Sequence, residues 1–290
     1  MTDPLALRAG AESLAAPLPA LLAQADHLAA SVILGDHGRR RAGTGDTFWQ
    51  YRPAQSHDEA RMIDWRRSAR SDAAFVQEKE WQIAQTVMLW VDRSASMQFA
   101  AGDRPSKADR ANLLALATAI VLLRGGERVG LTGQTVPARR GHAQSQILAQ
   151  ALLDGQTGDY GHPDTRGLLP HSRAMFVSDF LGDFDMIEAA MLQAADGGIK
   201  GALVQVLDPQ EIDFPFDGRT IFESMQGSLR HETLKAGDLR AAYLSRLAQR
   251  QDRLAELARI TGWQFHIHHT GQSAAQTLLR IYGALSRGTR

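Results

Sequence analysis

From residue 86 to residue 285, short apolar runs alternate with longer stretches of helical period, and few folds accommodate such a chain. Thr86–Val91 reads Thr-Val-Met-Leu-Trp-Val, a run with no polar face, as a strand covered on both sides requires. Further strands are expected at Arg128–Thr132, Ala174–Ser178, Ala202–Leu207 and Trp263–His268. Between them fall helical segments: one running to Arg124 and stopped by Gly125-Gly126, then Ala143–Leu153, Asp185–Ala195, Asp238–Ile260 and Ala274–Leu285. Ser106-Lys-Ala-Asp109 has the spacing of a capping box at the head of the first. Strands alternating with helices predict an α/β fold with a doubly wound, mostly parallel sheet.

The sequence divides into a flanking segment, residues 1–83, and a main domain, 84–290. The flanking segment holds a helix expected to begin near Ala20, after Pro17 and Pro19, followed by irregular sequence suited to short strands and loops. Residues 209–237 read as an insertion forming a hairpin or projecting loop.

Composition excludes several chemistries. With no cysteine there is no disulfide, thiolate nucleophile or Cys-ligated zinc. Lys plus Arg and Asp plus Glu balance at 32 each, so no global field draws the chain to nucleic acid or membrane. Arginine supplies 28 of the cations, eight of them between residues 39 and 70. The apolar stretch Leu113–Leu123 is too short to span a bilayer, and the N-terminus lacks a secretory pattern, so a cytoplasmic protein is expected.

Three expected strands run into an aspartate: Asp92, Asp179 and Asp208. In a doubly wound sheet the crevice beyond these strand ends is where ligands bind. The first continues as Asp92-Arg-Ser94-Ala-Ser96, which on a tight loop turns one carboxylate and two hydroxyls toward a common point. Such an all-oxygen set suits Mg²⁺, or Mn²⁺ in its place, with Asp179 adding charge from the next strand. The same residues could instead cap the turn that follows.

Asp-x-Ser-x-Ser after a buried strand, with a later strand-end aspartate, resembles the metal-ion-dependent adhesion site of von Willebrand factor A domains. The chain more closely resembles the bacterial family known as domain of unknown function 58. The matching residues are Gly43-Thr-Gly45, Tyr51-Arg-Pro53, Arg61-Met-Ile-Asp64-Trp65, Ala69-Arg70, Asp92-x-Ser-x-Ser-Met97, Val177-Ser-Asp-Phe180 and Leu207-Asp-Pro-Gln-Glu211. The resemblance implies a von Willebrand factor A-like, Rossmann-like core and a protein-binding or adaptor role beside a MoxR-type AAA+ ATPase. Adhesion sites of this kind usually add a threonine from a separate loop, for which Thr165 and Thr157 are the candidates. The stretch between Tyr51 and Arg61 is longer than the family's usual Gly-Asp-Asp turn and lacks its glycine.

Enzyme motifs are missing. The sequence has no Gly-x-Ser-x-Gly elbow and no Walker-type phosphate loop, and Ser94 stands where an aspartate-nucleophile phosphatase needs its second carboxylate. A non-enzymatic binding module is therefore expected. A metal-dependent phosphohydrolase in the same crevice and a metal-free scaffold binding through the arginine segment are the alternatives. His266, His268 and His269, with no further ligand at a standard spacing, read as a solvated strand end.

Overall fold

The computed structural model describes residues 17–32, 39–43, 47–55, 58–70, 73–133, 136–153 and 158–286. The described residues divide into two compact units, those between 39 and 85 in one and those of 17–32 and 86–286 in the other.

Helix α1 (Pro17–Ala30) starts at a proline, which the first helical turn tolerates because its missing N–H has no intrahelical partner there. Its Ala25 and Ala29 are buried in the core of the larger unit. The expected grouping of this helix with the flanking segment is therefore corrected: its small residues permit close approach to a neighbouring helix, a tertiary fact that local sequence does not carry.

The smaller unit is a three-stranded antiparallel sheet of β1 (Arg39–Gly43), β2 (Thr47–Pro53) and β3 (Phe75–Ile83), with β3 central. A single-turn helix, α2 (Trp65–Ser68), is capped by Asp64, whose carboxylate accepts from the Arg67 N–H. Asp64 also accepts from the Tyr51 hydroxyl. Arg52 forms a two-pronged pair with Asp58, both contacts at 2.6 Å. The Arg67 guanidinium lies 4.3 Å from the centre of the Tyr51 ring. Arg52 and Arg67 thus serve their own unit.

The larger unit contains β4 (Thr86–Val91), α3 (Lys107–Arg124), β5 (Arg128–Leu131), β6 (Val136–Arg139), α4 (His142–Leu153), β7 (Arg173–Ser178) and α5 (Phe184–Asp196). It continues through β8 (Lys200–Leu207), α6 (Pro209–Asp213), the hairpin β9 (Thr220–Glu223) and β10 (Arg230–Thr233), α7 (Arg240–Thr261), β11 (Gln264–His269) and α8 (Ala274–Ser286). The six-stranded sheet has the order β11-β8-β7-β4-β5-β6, parallel except for the edge strand β6.

Both sheet faces are covered. Val87, Leu89 and Val91 alternate with Met88 and Trp90 along β4. The odd set packs into one core with α1, α3, α4 and α8. Trp90, with Phe176 and Leu203 from β7 and β8, packs into the other with α5 and α7. Each such side chain contributes about 1.5–3 kcal/mol on burial, which fixes the register of the strands and so the height of the residues that follow them. The doubly wound α/β architecture is as the alternation predicts. No helix among the described residues is long and apolar enough to cross a membrane.

Candidate functional site

The chain leaves β4 toward β5 on one side and later returns to β7 on the other, so the topological switch lies between β4 and β7. Asp92 and Asp179 stand at that point. Asp92 is 1 % exposed. One of its oxygens accepts from the Ser94 backbone N–H at 2.8 Å, the other from the Ser178 hydroxyl at 2.6 Å. Ser94 and Ser96 then meet oxygen to oxygen at 3.3 Å. Residues 158–161 close over this loop: Ala95 and Ser96 donate their backbone N–H groups to the carbonyls of Gly158 and Asp159. Burial pushes the Asp92 carboxyl above its ordinary range; hydrogen bonds from Ser178 and Ser94 offset this in part, and the Asp179 charge adds to it.

Asp179 is oriented by its neighbours. Phe180 holds a left-handed backbone (φ 51°) that costs a non-glycine residue energy. Its N–H donates to the Ser178 hydroxyl, and Arg250 of α7 grips its carbonyl at 2.7 Å. One Asp179 oxygen accepts from the Leu181 N–H. The other meets the ammonium of Lys107 at 2.9 Å, and this ammonium also contacts Glu211 Oε1 at 2.6 Å. Lys107 is the first residue of α3, whose Ser106–Asp109 capping box is present as expected. It is 1 % exposed, as is Asp179. Burial alone would discharge the lysine, but attraction to the two carboxylates prevails and its pKa is raised. Burial holds Glu211 above its usual range in spite of that ammonium.

Glu211 belongs to α6, a short helix set on the end of β8 by Asp208, with Pro209 in its first turn. Glu211 also accepts from the Asp208 backbone N–H, completing a second capping box. Asp208, the third strand-end aspartate, pairs with Arg104 at 3.0 Å and accepts from Thr270 at 3.1 Å. Burial would raise its pKa, yet Arg104 and these hydrogen bonds bring it below the ordinary value.

Above Lys107 opens a cavity of about 190 Å³. Its walls are an aromatic cluster in which Phe214 lies 4.8 Å from Tyr243 and 5.6 Å from Phe222, ring centre to ring centre. Burial and the nearby Glu211 charge push the Tyr243 hydroxyl up to about 12, so it stays protonated. The β9–β10 hairpin forms one lip and is tied down by Asp159, which accepts from Ser224, Ser228 and the Gln226 N–H.

The structure brings Asp92, Ser94 and Ser96 together and sets Asp179 beside them. It does not bring in Thr165, whose hydroxyl donates to Gln193 at 2.8 Å. Thr157 lies outside the described residues. The donor set does not fit a hard dication, which needs about six oxygens at close to 2.1 Å and a way in. Both Asp92 oxygens are bonded and shielded, and Asp179 is held by a lysine. A dication bound to Asp179 would meet the repulsion of that ammonium. Among the described residues, no three His, Asp or Glu side chains converge as metal ligands.

Lys107 and Glu211 are the residues that sequence reasoning did not single out as site residues. The available signal was a lone lysine opening a helix otherwise rich in alanine and leucine, downstream of a strand-end aspartate. The expectation of a solvated histidine cluster is corrected too: His268 is fully buried, between Thr277 at 2.9 Å and Arg110 at 3.4 Å, because α8 covers that face of β11.

Similar proteins occur in mycobacteria. Uncharacterized proteins of Mycobacterium tuberculosis and Mycobacterium bovis are 26 % identical over 216 residues, 69 % of this chain and 67 % of theirs. Among solved structures, an aerotolerance-related membrane protein from Bacteroides fragilis aligns at 14 % identity and TM-score 0.41. The conserved hypothetical protein BatB from Bacteroides thetaiotaomicron aligns at 18 % identity and TM-score 0.42. Both alignments cover 70 % of this chain and 98 % of the other. The family model described as "Protein of unknown function DUF58" matches residues 50–253, more than half of the sequence, and the chain belongs to that family.

Proposed function

We propose that this chain is a non-enzymatic protein-binding module that works as an adaptor through the crevice at the β4–β7 switch, with Lys107 supplying there the positive charge that a von Willebrand factor A-like adhesion site draws from magnesium. The observation that carries the reading is the Lys107 ammonium, buried between Asp179 and Glu211 at the floor of an open, aromatic-walled cavity. A buried ion triad is a weak source of stability, since replacing such groups by packed apolar residues is often neutral or better. Its placement at the ligand-binding position of the fold therefore points to a binding role.

The family resemblance favours a MoxR-type AAA+ ATPase as the partner. A phosphohydrolase is a poorer reading, because Asp92, the only carboxylate in the Asp-x-Ser-x-Ser loop, is buried with both oxygens already hydrogen-bonded, which keeps it from reaching a phosphorus centre. Binding through the arginine segment is poorer as well, since Arg52 and Arg67 are engaged within their own unit.

The test is affinity capture from the native host with the full chain, in magnesium and in EDTA, beside a Phe222→Ala variant. The same partner is expected with and without metal, and it is expected to be lost in the variant. Capture abolished by EDTA would restore the metal-dependent reading, and capture indifferent to Phe222→Ala would remove the crevice from the interaction.

A further inference from the structure

The cavity over Lys107 has a definite charge. Among the described residues that line it, four are carboxylates (Asp159, Asp179, Glu211 and Glu223) and Lys107 is the one cation. Two of the four already hold that lysine, Asp159 is tied to the hairpin by three hydrogen bonds, and Glu223 stands at the exposed rim. An acidic group entering from a partner would meet this surplus of negative charge, whereas a cation would be drawn in. The walls give the same sign, because aromatic faces attract cations and repel anions. Size narrows the occupant further. At about 190 Å³ the cavity is smaller than the 300–1,000 Å³ usual for small-molecule sites, and it suits one long side chain. On the same hairpin Ile221, Met225 and Leu229 are exposed, with Leu234 just beyond.

We infer, resting on the reading of this crevice as a protein-binding site, that the cavity receives a basic side chain of a partner polypeptide, arginine in preference to lysine, while apolar residues flanking it cover the hairpin. Arginine is favoured because a planar guanidinium stacks on aromatic rings and still reaches a carboxylate at the rim. The polarity is opposite to that of a metal-centred adhesion site, where the partner contributes an acid. The ammonium in the crevice is already neutralised by two carboxylates, so the crevice selects for a cation.

The experiment is panning of a random linear peptide library, displayed on phage, against the full chain and in parallel against Glu223→Gln and Tyr243→Ala. Enriched peptides are expected to carry an arginine or lysine between apolar residues. Synthetic copies are expected to weaken at least about tenfold when the arginine becomes citrulline, and to weaken in the same direction with rising salt. Glu223→Gln, a change at the exposed rim, is expected to weaken them as well and keeps the test decisive should Tyr243→Ala fail to fold. Peptides that depend on the cavity but carry an acid, or no charge, would overturn the inference and leave the crevice as a protein-binding site. Peptides that bind the variants as well as the wild type would overturn both.

Discussion

The backbone of Gly161 is pressed against the carboxylate of Asp92: a methyl group built on Gly161 would lie 2.2 Å from Asp92 Oδ1. No side chain fits there without displacing a carboxylate that two hydrogen bonds already fix. Gly161→Ala is therefore expected to lose about 1–3 kcal/mol, as overpacked positions do. Gly283 is the control. A methyl group there meets nothing within 4 Å, and Gly283 lies inside α8, so Gly283→Ala should gain up to about 1 kcal/mol from helix propensity. Urea unfolding of the two variants reads both signs, and equal effects would show that the Asp92–Gly161 contact is not tight.

Lys107→Met keeps the length of the side chain and removes its charge. Asp179 and Glu211 would then face each other without a cation, and breaking a buried pair in this way costs about 3–5 kcal/mol. The deficit should depend on pH. Glu211 already has a folded-state pKa above its ordinary 4.5, so the folded state binds its proton more tightly than the unfolded one. Protonation is thus stabilising, and the loss caused by Lys107→Met should shrink as the pH falls from 7 toward that value. A loss below about 1 kcal/mol at pH 7, or one that grows on acidification, would contradict the assignment of Lys107 as the charge that holds the crevice together.

His268 supplies a second titration of opposite sign. Burial, together with the Arg110 and His269 charges, brings its pKa down to about 4 from 6.5. The neutral ring satisfies both neighbours, Nε2 accepting from Arg110 and Nδ1 donating to Thr277. The unfolded state takes up a proton between pH 6.5 and 4 while the folded state does not, so stability present above 6.5 is lost across that window. Its size is on the order of 3 kcal/mol, since each tenfold difference in proton affinity between the two states is worth about 1.4 kcal/mol. Urea midpoints measured at neutral pH and at two points inside that window should therefore fall in the wild type, and fall less in His268→Gln.

The sequence shows most of the large sheet, for a physical reason. β4, β7 and β8 are buried on both faces, so their apolar runs are continuous and locate each strand to within about two residues. β6 escapes because it is a four-residue edge strand with alternating exposure and a proline. β3 escapes because Gln77-Glu-Lys-Glu80 reads as polar chain although it forms the middle of its sheet. In the site, the Asp92-Arg-Ser94-Ala-Ser96 loop was legible because hydrogen bonds within five residues shape it. Lys107, 72 positions from Asp179 and 104 from Glu211, was not. A lysine just after a helix cap points to solvent in most proteins, and only the tertiary fold turns this one inward.

The charge at the crevice also fixes how the protein answers magnesium. A ligand that binds only the folded state at a hundred times its dissociation constant adds about 2.7 kcal/mol of stability, a shift readily seen in thermal unfolding. If Lys107 holds the position that a dication would need, magnesium at millimolar concentration should leave the melting temperature of the wild type unchanged, and EDTA should do the same. Asp92→Asn sharpens the expectation. An amide at that position can still accept from the Ser94 N–H and can donate to the Ser178 hydroxyl, while losing the buried charge whose pKa is raised. A carboxyl with a raised folded-state pKa is penalised at every pH above its unfolded value of 3.8, so Asp92→Asn should match or exceed wild-type stability at pH 7, and any advantage should vanish below pH 3.8. A metal site would respond in the opposite way, with magnesium raising the wild-type melting temperature and Asp92→Asn abolishing the rise.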